Sequence, residues 1–173
     1  MKVLKITDKI VASLSMLDKA QTTLRQEGVD NMTQPGILKE MRMAEKLNHS
    51  VIQDKHYPDA IDGNGNFYEY LSCQSHAKNF AIDCMFSRPK TDKQKSLERI
   101  TRNKKIYCGI FDGIKLLEIY EVSTQKFLEY TEDNLSRRDK NGKSKNREHT
   151  INYTLKWVKS VGKKIYEVWV YKI

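Results

Sequence analysis

The residues best placed to do chemistry are those of 58–74: Pro58-Asp59-Ala60-Ile61-Asp62-Gly63-Asn64-Gly65-Asn66-Phe67-Tyr68-Glu69-Tyr70-Leu71-Ser72-Cys73-Gln74. Asp59 and Glu69 stand ten residues apart across a Gly63–Asn66 turn, and Asn-Gly is a strong hairpin signal. Two carboxylates carried to adjacent strands can converge on one hard divalent cation, Mg²⁺ above all, which takes oxygen ligands and keeps several waters. A cation held this way can activate a water and bind a phosphate oxygen. Asp62 is a second candidate acid, but it directly precedes Gly63, where Asp commonly shapes a turn.

These carboxylates need elements to position them. Period-two alternation predicts a strand over 67–73 with Phe67, Glu69, Leu71 and Cys73 on one face. A strand over 56–61 precedes it. Upstream, Ile10, Leu14, Leu17 and Leu24 recur at helical spacing over 8–27, and Gly28 stops that helix. Pro35 and Gly36 open a second helix over 36–47, ended by Asn48. Its inward stripe is Ile37, Met41, Ala44 and Leu47, and Glu40 falls between Leu47 and Ala44. An acid there either has a compensating partner or reaches water from the stripe's edge. Downstream, 80–86 reads as a strand, and Leu97 and Ile100 suggest a short helix. Strands over 106–111 and 114–122 join at Asp112-Gly113, a second hairpin signal. A helix from Ser123 or Thr124 to about Leu135 leads to a flexible basic loop over 136–150. The chain ends in a hairpin turning at 159–162, or in a helix through Ile151, Leu155 and Val158 that fits nearly as well. Asp83 is mid-strand, either a third carboxylate at the site or an edge acid facing water. The fold class is α/β (α+β), a mixed central sheet flanked by helices.

Charge points to the partner. The net charge is +9, but residues 1–87 carry 10 basic and 11 acidic side chains, and residues 88–173 carry 21 and 11. Eight basic residues lie between Arg88 and Lys105, and six between Arg137 and Arg147. Such clusters suit a polyanion; a merely solvated surface is the plainer alternative. No apolar run reaches the length of a membrane span, and the first residues lack a signal-peptide pattern. Cys73, Cys84 and Cys108 have no metal-site spacing and read as reduced core residues, which suits the cytoplasm. No Gly-rich phosphate loop, nucleophile elbow or zinc motif is present.

The spacing of the acids resembles that of the PD-(D/E)XK nucleases, the superfamily of most type II restriction endonucleases. Pro58-Asp59 match the PD and Glu69 matches the (D/E). The 36–49 segment is similar to the helix before the catalytic strands in restriction enzymes, where an extra acid often points at the site; Glu40 takes that place. The resemblance covers about residues 36–122. It implies a Mg²⁺-dependent endonuclease that hydrolyses phosphodiester bonds at a short specific site in double-stranded DNA. It also implies metal ligation by Asp59 and Glu69, and a homodimer, since a palindromic site matches a two-fold axis. A single nuclease-like domain then spans 1–173. An N-terminal helix and loop occupy 1–35, a catalytic core 36–122, and a basic helix, loop and hairpin 123–173.

One position departs from the family. Its lysine, two residues after the second acid, would fall at 71, where Leu71 stands. Lys78 or Gln74 then supplies the water-orienting group, or the protein is a non-catalytic nucleic-acid-binding relative, or the match is accidental. Phosphate contacts are expected from Arg88, Lys90, Lys93, Lys95, Arg99 and Arg102, and from Arg137, Arg138, Lys143 and Lys145.

Overall fold

The structure is a computed structural model that describes residues 7–34, 36–54, 57–84, 97–140 and 149–168. The chain divides into two compact units, Met1–Leu38 and Lys39–Ile173.

In the first unit, helix α1 (Asp8–Gln26) forms where the leucine spacing predicts it. Gly28 turns the chain with φ 86°, a left-handed conformation that glycine adopts without a Cβ penalty. Gln21 fastens the following loop. Its Oε1 accepts from the Met32 N–H at 2.7 Å, and its amide donates to the Val29 carbonyl at 3.2 Å. No residue of α1 is buried; Val11, Leu14, Met16 and Leu17 are exposed.

The unit boundary falls in the first turn of α2 (Ile37–Leu47). Asn48 ends this helix at φ 54°, which Asn tolerates better than most residues. Among the described residues eight strands follow: β1 (Ser50–Val51), β2 (Ala60–Ile61), β3 (Phe67–Gln74), β4 (Asn79–Cys84), β5 (Lys105–Asp112), β6 (Lys115–Ser123), β7 (His149–Thr154) and β8 (Lys163–Glu167). A helical turn, α3, covers 97–101; α4 is Thr124–Lys140 and α5 is Leu155–Val161. Six strands make one mixed sheet in the order β1-β2-β3-β5-β6-β8, and β4 and β7 form a separate pair. Both Gly-marked turns are hairpins, joining β2 to β3 and β5 to β6. β3 and β5 run parallel, so the chain must cross between them, and α3 lies on that crossover.

Alternation fills both faces of the sheet. Leu71, Cys73, Ile106, Cys108 and Ile110 pack with Ile100, Phe127 and Val158 in one core cluster. Tyr68, Tyr70, Tyr107, Phe111 and Ile119 pack with Met43 and Ala44 of α2 in the other. At Gly109 the helix comes so close that an added Cβ would lie 2.7 Å from the Met43 sulfur and from the Phe111 ring. Gly109→Ala is therefore expected to destabilise the protein by about 1–3 kcal/mol through overpacking. Urea unfolding measures this, and a neutral result would mean that Met43 repacks freely.

Two expectations are corrected. The basic stretch over 136–150 is not one loop: α4 continues to Lys140 and β7 begins at His149, with 141–148 outside the described residues. The terminal hairpin does not form. β7 pairs antiparallel with β4, β8 pairs with β6, and α5 lies between β7 and β8. The switch from strand to helix is local. Ile151 and Tyr153 alternate into the core, and Thr154 then caps α5 by accepting the Trp157 N–H at 3.1 Å. Gly162 closes α5 through its N–H to the Val158 carbonyl at 2.8 Å. Among the described residues no helix is long and apolar enough to cross a membrane.

Candidate functional site

The β2–β3 hairpin builds the acidic site. Ala60 pairs with Tyr68 and Ile61 with Phe67, so the next register step sets Asp59 across from Glu69. Asp62 holds the turn between them. Its Oδ1 accepts the Asn64 and Asn66 N–H groups, both at 2.9 Å. Its Oδ2 accepts the Asn66 amide at 2.8 Å and the Tyr68 hydroxyl at 2.8 Å. Those bonds, the Asn66 amide first, hold its carboxyl well below the usual range. Asp62 is committed to the turn.

Asp59 Oδ2 accepts the Tyr70 N–H at 2.7 Å, which fastens the acid to the strand that carries Glu69. Glu69 is buried, 4% exposed. Its Oε1 lies 3.4 Å from Arg99 Nη2, and its Oε2 has no hydrogen-bond partner among the described residues. Burial pushes both carboxyls above their ordinary values, and Asp59's negative charge adds to the effect on Glu69. The Arg99 and Arg102 charges oppose the rise at each. Glu40, half-buried on α2, is pushed up to about 7 by burial first and by Asp59 second. The acid on the inner stripe thus has Asp59 as its electrostatic neighbour.

The helical turn α3 brings the cations. Ile100 anchors it in the core, and Asn103 caps it by donating to the Arg99 carbonyl at 2.7 Å. The Lys104 N–H donates to the Phe67 carbonyl at 2.8 Å, which ties the end of α3 to the start of β3, two residues from Glu69. Arg99 sits within α3 and Arg102 one residue past its end, and the charges of both act on Asp59 and Glu69. Sequence reasoning assigned this pair to phosphate and did not place it against the acids. Part of the signal was there: Leu97 and Ile100 fix the helix phase and so the side on which Arg99 emerges.

Other candidates lie apart. Gln74 is five residues beyond Glu69, roughly 16 Å along the strand. Both ends of its amide bind the Gly113 backbone at 3.0 Å. Lys78 follows β3 and lines a groove with Lys156 and Lys159. Neither is gathered at the acidic pair. Leu71, at the family's lysine position, is buried in the core. His49 Nδ1 shares a 2.7 Å hydrogen bond with the Tyr70 hydroxyl, and its ring stacks on Tyr68. Arg137 is exposed and paired with Asp133 within its own helix. Arg88, Lys90, Lys93, Lys95, Lys143 and Lys145, and the side chains of Asp83 and Arg138, lie outside the described residues.

Among the described residues no three His, Cys, Asp or Glu side chains form a closed metal-holding group. The donor set still fits a hard cation. Mg²⁺ takes one or two carboxylates and keeps waters for its other positions, and Glu69 Oε2 is a buried oxygen still able to accept. No curated protein matches the chain in a sequence comparison. The family model for restriction endonuclease PvuII matches residues 5–166 of the 173. A paired-acid hairpin on a mixed sheet, inside a match of that extent, settles the assignment: the chain belongs to the PvuII family of type II restriction endonucleases, of the PD-(D/E)XK type.

Proposed function

We propose that this restriction endonuclease is Mg²⁺-dependent and hydrolyses phosphodiester bonds at a short specific duplex site, with Asp59 and Glu69 as its metal ligands. The observation that carries the reading is the closeness of two acids on one hairpin: Asp59 is held by the Tyr70 N–H next to Glu69, its charge is felt by Glu69, and Glu69 is buried with an oxygen that has no hydrogen-bond partner among the described residues. When bound, the cation supplies Lewis acidity toward a phosphate oxygen and an activated water. The chain's own part is positional. The Asp62 turn sets the hairpin, the Tyr70 N–H orients Asp59, and Glu40 adds a third acid from α2.

The basic residues of 88–105 and 137–147 would hold the DNA backbone: Arg88, Lys90, Lys93, Lys95 and Arg102 from the first stretch, and Arg137, Arg138, Lys143 and Lys145 from the second. The protein would act as a cytoplasmic homodimer in a single nuclease domain. The exposed apolar residues of α1 support self-association, and two-fold symmetry suits a palindromic site. Incubation of mixed plasmid and genomic DNA with Mg²⁺, against a chelator control, tests the reading. Discrete bands that need Mg²⁺ are expected. A smear would remove site specificity, and uncut DNA would remove catalysis.

A further inference from the structure

We propose that Arg99 is the resident cation of the acidic pair: it neutralises Asp59 and Glu69 at rest, yields Glu69 to a divalent cation, and then presents its guanidinium to the phosphate. The inference rests on the reading of Asp59 and Glu69 as metal ligands and goes beyond it.

Four observations carry it. Leu71 is buried where the family pattern has a cation, so the two acids need positive charge from elsewhere. Arg99 supplies it from α3, with Nη2 3.4 Å from Glu69 Oε1. The contact is single and loose. It leaves Glu69 Oε2 and Arg99 Nε both buried and without partners among the described residues, whereas a settled Arg–carboxylate pair is commonly bidentate. The Arg99 side chain is 41% exposed, so its head group has water to swing into while Ile100 keeps the helix in place.

Those unused donors suit a second anion. A guanidinium offers five N–H groups in a planar fork that fits two oxygens of a phosphate. It stays protonated throughout, so Arg99 stabilises and orients charge and takes no proton from water. In that respect it replaces only the electrostatic part of a lysine's work. Arg102, just past the end of α3, adds to the field that the two acids feel. Gln74 and Lys78 have no part in this arrangement.

The test uses the whole protein and the cation Ca²⁺ alone, without DNA, by titration calorimetry at pH 8.5, together with Mg²⁺-driven plasmid cleavage. Arg99→Gln removes the competitor for Glu69. Its Ca²⁺ affinity is expected to rise about tenfold or more, since two unit charges at this distance interact by more than that factor in a partly exposed site. Its cleavage rate is expected to fall at least about 100-fold, the scale of one lost charge-stabilising donor. Arg99→Lys keeps a cation on the same stem. It should hold Ca²⁺ affinity near the parent's and recover part of the cleavage. Melting curves confirm that both variants are folded; should Arg99→Gln fail to fold, Arg99→Lys and Arg99→Met carry the same comparison. Unchanged Ca²⁺ affinity on neutralising Arg99, with Glu69→Gln abolishing it, overturns the proposal alone. Ca²⁺ binding that survives Glu69→Gln overturns the metal-site reading itself.

Discussion

Glu69→Gln is expected to abolish cleavage, by at least about a thousandfold, while changing metal-free DNA affinity by less than about tenfold. The substitution keeps the shape of the side chain and removes one charge. Glu69 is buried and its strand neighbours pack in both cores, so it contacts no long stretch of duplex and a binding defect is not the expected loss. Asp59→Asn should behave alike for a separate reason. Asp59 Oδ2 accepts the Tyr70 N–H, and an asparagine can keep that bond through its amide oxygen while losing the negative charge. Supercoiled-plasmid cleavage with Mg²⁺ and fluorescence anisotropy of labelled duplex without it separate the two effects. If either variant cuts at the parent's rate, the site lies elsewhere.

Asp59 and Glu69 were legible in the sequence because hairpins are local. A turn of Gly and Asn sets the register of the next few residues, and the Ala60–Tyr68 pair of that register lies one step from the two acids. Glu40 was legible for a similar reason, since helical phase is a one-dimensional property. Arg99 was not, because its meeting with Glu69 depends on a crossover 30 residues long that returns α3 to the start of β3. No periodicity encodes that return. The Lys104–Phe67 hydrogen bond and the parallel β3–β5 register do. The place of Gln74 was not legible for the same reason. Its proximity in sequence to Glu69 is proximity along an extended strand, which carries residues apart at about 3.3 Å per step. At the C-terminal end, a hairpin turning at 159–162 and a helix through Ile151, Leu155 and Val158 fitted the sequence nearly equally. The Thr154 cap decided for a helix once Ile151 and Tyr153 had been buried.

Glu40→Gln is expected to flatten part of the pH dependence of stability. The sign follows from linkage. Burial and Asp59 raise the Glu40 carboxyl from its ordinary 4.5 to about 7, so between those values the folded protein binds more protons than the unfolded chain. The stability that Glu40 contributes is therefore fully present below about pH 4.5 and is lost as pH rises through about 7. At pH 8 the ionised Glu40 opposes folding by at most roughly 3 kcal/mol, and by less to the extent that water reaches its half-buried carboxylate. Glutamine cannot ionise, so the variant should gain on the parent between pH 5 and pH 8, with most of the gain complete by pH 8. Asp59 and Glu69 shift in the same direction, so the variant keeps some slope of its own, and the parent-to-variant difference is the quantity to read. Urea unfolding in metal-free buffer at four pH values measures it. Because Asp59's charge contributes to the rise, the same difference taken in an Asp59→Asn background should shrink. Parallel pH profiles for parent and Glu40→Gln would place Glu40 in water, away from the acidic pair.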